Sequence, residues 1–102
     1  MIERDPQGFL VHLSDWNESV AADIAHEEQI ELSEAHWEII WLLRAFYSEY
    51  ELSPANRVLV KAVKTQLGEE KGNSIYLMGL FPGSPAKLAS KIAGLPKPLN
   101  CL

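Results

Sequence analysis

Ser33-Glu-Ala-His-Trp-Glu-Ile-Ile-Trp-Leu-Leu-Arg-Ala-Phe-Tyr-Ser-Glu-Tyr50 is the longest uninterrupted pattern in the chain, and its period decides the fold class. Trp37, Ile40, Trp41, Leu43, Phe46, Tyr47 and Tyr50 recur at the three- and four-residue steps that line one face of a helix. Ser33 suits the N-cap, and Glu34 and Glu38 sit near the positive end of the helix dipole. The pattern predicts a helix over Glu34–Tyr50 at the centre of the core, with Trp37 and Trp41 packed one turn apart.

The chain on either side carries the same type of signal. Ser53-Pro54 is a cap followed by proline at a first helical position, and Gly68 is a stop, which predicts a helix ending at Leu67. Val58, Leu59, Val63 and Leu67 form its expected core face, and Arg57, Lys61 and Lys64 a basic stripe on another. Asn73 or Ser74 opens a short helix to Leu80, which Phe81-Pro-Gly83 breaks. Ser84-Pro85 repeats the cap-and-proline signal, and a last helix runs to Ala93 before Gly94. Upstream, Ser14 or Asp15 is positioned to cap a helix over Trp16–His26 with Val20, Ala21 and Ile24 inward. Asp5-Pro-Gln-Gly8 reads as a turn and Phe9–Leu13 as a short strand. The expected architecture is α+β and predominantly helical: a small N-terminal β element, about five helices over residues 1–93, and a flexible C-terminal arm over residues 94–102.

A chain of 102 residues is one domain by size and is long enough to bury a modest core. A hydrophobic share of 47% beside 23% charged residues excludes a disordered chain. No run approaches the ~20 apolar residues of a membrane span, and Met1-Ile-Glu-Arg-Asp-Pro lacks a signal-peptide core. With one cysteine there is no intramolecular disulfide, and the expected location is the cytoplasm. The net charge of −5 conceals a split. Residues 1–51 hold twelve acidic and two basic residues, whereas residues 52–102 hold seven basic and two acidic ones. Such a split points to a polarised surface facing a charged partner, or to two halves that interleave in space.

The single cysteine, Cys101, follows Lys91-Ile-Ala-Gly-Leu-Pro-Lys-Pro-Leu-Asn100. Pro96 and Pro98 stiffen this tail and Gly94 reads as its hinge. At ~3.1 Å per residue the tail beyond the hinge reaches roughly 20 Å. A thiol on such a tether suits delivery into another protein, with the thiolate as the reactive form. Lys87, Lys91 and Lys97 favour ionisation, and the carboxylate of Leu102 opposes it. His12, His26 and His36 have no metal-type spacing, so neither a metal nor a cofactor is expected; His36 reads as a packed or capping residue. The basic stripe on Arg57, Lys61 and Lys64 loosely matches a helix-turn-helix, but the overall acidity opposes autonomous nucleic-acid binding.

The tail Lys91-Ile-Ala-Gly-Leu-Pro-Lys-Pro98 with Cys101 resembles the C-terminal arm of the DsrC/TusE family. Asp5-Pro-Gln-Gly-Phe-Leu10, Leu32-Ser-Glu-Ala-His-Trp37, Gly68-Glu-Glu-Lys-Gly-Asn-Ser74 and Leu80-Phe-Pro-Gly-Ser-Pro-Ala-Lys87 extend the resemblance over nearly the whole chain. Family members that serve dissimilatory sulfite reductase carry a second cysteine where this chain has Ser90. The chain is therefore similar to the single-cysteine sulfur-relay branch, TusE. That resemblance implies a sulfurtransferase in which Cys101 accepts a persulfide from a TusBCD-type donor and relays it to the tRNA 2-thiouridylase MnmA. It implies an arm made of Gly94, Leu95, Pro96, Lys97, Pro98 and Leu102, and no cofactor. It also implies a first strand ahead of the segment matched by Ile2–Phe9, and that strand is expected to be missing here. Arg57, Lys61, Lys87 and Lys91 are the candidate partner-binding residues, and direct contact with tRNA stays open. Two other readings stand beside it: a DsrC-like partner of a dissimilatory sulfite reductase, and a small nucleic-acid-binding regulator.

Overall fold

In the computed structural model, which describes residues 2–99, the pattern around Ser33 forms a helix with the expected ends. Five helices follow one another: α1 (Glu18–Glu27), α2 (Glu34–Tyr50), α3 (Asn56–Leu67), α4 (Ser74–Leu80) and α5 (Pro85–Ile92). No strand forms among the described residues. The strand expected at Phe9–Leu13 is represented by one antiparallel bridge, Arg4 to Leu10. The chain then enters a 3-10 turn at Leu13–Asp15. The Asp5–Gly8 turn does form: the Asp5 carboxylate accepts from the amides of Gln7 and Phe9, both at 2.9 Å.

The start of α2 is tied across the molecule by His36. Its Nδ1 accepts the Ser33 amide at 3.1 Å, which makes Nε2 the protonated nitrogen. That Nε2–H donates to the Leu80 carbonyl at 2.9 Å, and the ring meets Phe81 edge-on. One imidazole thus closes a capping box on α2 and satisfies a carbonyl at the end of α4.

The most central helix is α5, not α2. All four other helices pack against it. Ala86, Ala89, Ser90, Ile92 and Ala93 are fully buried, and the small residues among them let neighbouring backbones approach closely. From α2, Ile39, Ile40 and Leu43 enter the core, whereas Trp41 and Tyr50 are exposed at 46% and 55%. Periodicity places a residue on a face of its helix; it does not say how much of that face the neighbours cover. Val58 is likewise exposed, contrary to the core role expected for it.

Two helix starts also differ from expectation. Helix α1 is capped by Asn17, whose side chain accepts from Val20 N–H at 2.9 Å, because residues 13–15 are used in the 3-10 turn. It ends at a Schellman turn: Gln29 takes φ 62°, and the Ile30 amide donates to Ala25 O at 2.8 Å. Helix α3 begins at Asn56, after Ala55, so Ser53-Pro54 lies outside it. The Asn56 side-chain oxygen instead accepts the Ala86 amide at 2.8 Å and joins the first turns of α3 and α5.

Candidate functional site

The segment after α5 is the part of the chain that leads to Cys101, and the body grips it at four points. Trp16 Nε1 donates to Ile92 O at 2.9 Å. Arg44 Nη1 donates to Ala93 O at 2.6 Å. The Leu95 amide turns back to Ser90 O at 2.9 Å, and Ser53 Oγ donates to Pro96 O at 2.6 Å. Leu95 is 2% exposed, and Pro98 is buried as well. Gly94 takes φ +74°, and a Cβ at that position would fall inside the ring of Trp16.

Of the arm expected over residues 94–102, residues 94–98 are seated on the body in this structure. Gly94 is a close-approach glycine pressed against an indole instead of an open hinge. Pro96 and Lys97 show a side to solvent, Pro98 is buried again, and Leu99 beyond it is 82% exposed. The remaining arm residues, with Cys101 and Leu102, lie outside the described residues.

The grip is electrostatic as well as steric. The Arg44 guanidinium carbon lies 3.9 Å from the Trp16 ring centroid, a cation–π contact. Burial pushes the Arg44 pKa down, yet arginine stays charged in proteins. Trp16 meets Trp41 edge-on at 5.4 Å, and Trp41 stacks on Trp37 at 5.8 Å. The two tryptophans of α2 thus form an aromatic ladder that buttresses Trp16. Sequence reasoning missed Trp16, Arg44 and Ser53 as site residues. Their partners are backbone carbonyls more than 40 positions away, which no local spacing encodes.

The basic residues do not form one face. Lys91 Nζ pairs with Glu28 at 2.7 Å, and its side chain is only 16% exposed. It is a tie between α5 and the end of α1, and its charge is already matched. Lys87 lies beside it, lining a shallow cleft of 330 Å³ with Gln7, Phe9 and Pro82. Arg57 and Lys61 are exposed on α3, and Lys61 borders a different groove, against α2. Lys97 is exposed on the seated segment itself. The acidic and basic halves therefore interleave, as the Lys71–Glu38 pair at 2.7 Å and the Lys91–Glu28 pair illustrate.

Ser90 is fully buried, and among the described residues its hydroxyl has no hydrogen-bond partner. The site would suit a small apolar side chain or a thiol, since buried cysteine behaves as a small hydrophobe. Among the described residues no group of three or more His, Cys, Asp or Glu is placed to hold a metal. None of the helices there is long and apolar enough to cross a membrane.

Where the chain leaves the body, Leu99, Pro96 and Lys97 border a groove of 410 Å³ with Tyr47, Leu52 and Val58. A second groove of 280 Å³, between α2 and α3, adjoins it through Val58 and contains Phe46 and Tyr50. The rings of Phe46 and Tyr50 are 4.7 Å apart.

Comparison with known proteins places this geometry. The family described as DsrC like protein matches residues 1–102. The chain is 60% identical over 101 residues to a protein named Sulfurtransferase TusE from Sodalis glossinidius, covering 99% of this chain and 94% of that one. It is 54% identical to the protein of the same name from Escherichia coli K12, covering 99% and 93%. Among solved structures, DsrC of Allochromatium vinosum superposes with a TM-score of 0.90 at 51% identity, covering 99% and 90%. The oxidized gamma-subunit of dissimilatory sulfite reductase (DsrC) from Archaeoglobus fulgidus does so at 0.85 and 40% identity, covering 99% and 92%. Matched along its whole length by the family pattern, and at more than half its positions by two sulfurtransferase relatives, the chain belongs to the DsrC-like protein family.

Proposed function

We propose that this protein is a cytoplasmic sulfur carrier whose working atom is the Cys101 sulfur. It takes up sulfane sulfur from a TusBCD-type donor and hands it to an MnmA-type tRNA 2-thiouridylase. The observation that carries the reading is the full-length identity to proteins named as sulfurtransferases, combined with one cysteine in the whole chain. The step balances without an external oxidant. The Cys101 thiolate attacks the outer sulfur of the donor's persulfide; the new S–S bond forms as the donor's S–S bond breaks, and the donor cysteine leaves as thiolate. Delivery repeats the step with Cys101 as the leaving group.

A partner role toward dissimilatory sulfite reductase is favoured by the likeness to solved DsrC structures. Ser90 opposes it, since the position the resemblance assigns to a second thiol holds a hydroxyl. Intact-mass spectrometry tests the carrier reading. Incubation with a persulfide-loaded donor should add about 32 Da, one sulfur, on Cys101. Cys101→Ser should fold normally and gain nothing. Equal uptake by the serine variant overturns the carrier reading.

A further inference from the structure

We propose that the apolar groove beside the chain exit, formed by Tyr47, Leu52, Val58 and Leu99 and flanked by the groove that holds Tyr50, is the docking seat of the persulfide donor protein that loads Cys101. This deepens the sulfur-carrier reading and rests on it. The grip on residues 92–98 is what locates the seat. Pro98 is the last buried residue of the tail and Leu99 stands exposed just after it, and Cys101 is two peptide steps from Leu99. Consecutive Cα atoms are 3.8 Å apart, so the two Cα atoms are at most about 7.6 Å apart. A partner's reacting sulfur must come to within roughly 3.5 Å of the Cys101 sulfur. The partner's surface therefore arrives beside Leu99. A standard interface covers about 800 Å² per partner, a disc roughly 16 Å in radius, and the groove that contains Leu99 falls inside it.

The chemistry of the groove fits a protein surface. Tyr50, Leu52 and Val58 are exposed at 55%, 53% and 46%, and the 410 Å³ and 280 Å³ hollows join at Val58. Scattered exposed apolar residues are ordinary, but a contiguous set around a hollow marks an interaction site. Glu51 and Lys97 line one hollow, and Glu49 and Lys61 the other. The two carboxylates cancel the two ammonium groups, so the patch has no net positive charge to attract a phosphate backbone, and tRNA is a poor occupant. A protein that inserts an apolar side chain between Leu52 and Val58, with mixed charges at its rim, is a good one.

The test uses two sulfur sources on the full chain. Inorganic polysulfide loads Cys101 without a docking surface; a persulfidated TusBCD-type complex requires one. Leu52→Asp/Val58→Asp and the milder Tyr50→Ala are compared with Ile75→Asp, a control on α4 where Ile75 is 87% exposed. Circular-dichroism melts establish that each variant folds. All should load equally from polysulfide. Loading from the protein donor should slow at least tenfold in the double variant, several-fold in Tyr50→Ala, and not at all in Ile75→Asp. Equal rates in all four proteins overturn the proposal. It also fails if the double variant dissociates a wild-type dimer while transfer is unchanged, for then a second copy owns the groove. Wild type that loads from polysulfide but not from the protein donor removes this partner. Wild type that loads from neither overturns the carrier reading itself.

Discussion

Gly94→Ala tests whether the seat of the C-terminal segment is held by the Trp16 packing. Alanine at a positive φ costs about 1–2 kcal/mol. The added Cβ also displaces the Trp16 ring, which forfeits the indole bond to Ile92 O, about 1 kcal/mol, and weakens the contact with Arg44. The total is about 2–4 kcal/mol against the seated state. The assay is native-state hydrogen exchange of the Leu95 amide, which is bonded to Ser90 O. Exchange there should accelerate roughly 30- to 700-fold, at about 1.4 kcal/mol per factor of ten. Amides in the middle of α2 should be unaffected. Gly83→Ala is the control, since its φ is +93° but a Cβ there meets nothing within 4 Å, and it carries the backbone cost alone. An unchanged Leu95 amide refutes the packing argument. A uniform acceleration across α2 and Leu95 refutes the separability of the seat from the core.

Two further outcomes follow from burial and pairing. Lys91→Glu places a second carboxylate against Glu28 in a half-buried position and should cost about 1–3 kcal/mol by chemical denaturation. Lys87→Glu should stay within about 0.5 kcal/mol, and equal losses in both variants contradict the assigned pair. Ser90→Ala removes a buried hydroxyl that has no partner among the described residues and improves helix propensity, so it should raise stability by about 1–2 kcal/mol. At 4–8 °C per kcal/mol for a chain of this size, the melting temperature should rise by roughly 4–16 °C, and a fall shows that the hydroxyl does have a partner.

The sequence by itself determined most of the helices and where the single thiol stands along the chain. The Glu34–Tyr50 period, the Asn73 cap and the Ser84-Pro85 start are local signals, written in residues three or four apart, and the helices form where those signals stand. The single thiol and the absence of a second one at Ser90 are equally local. The tertiary structure decided what the tail does. Its fate depends on hydrogen bonds from Trp16, Arg44 and Ser53 to the carbonyls of Ile92, Ala93 and Pro96, whose separations are 76, 49 and 43 residues. Ser53-Pro54 shows how a local signal yields to a distant one: the serine reads as a helix cap, but its hydroxyl is spent on Pro96. The same holds for exposure. Val58, Tyr50 and Trp41 obey helical spacing, yet burial is a property of the surface that faces them. Only the packing of α2 and α3 around α5 leaves these side chains uncovered, with Val58 lining the groove at the exit of the chain that carries Cys101.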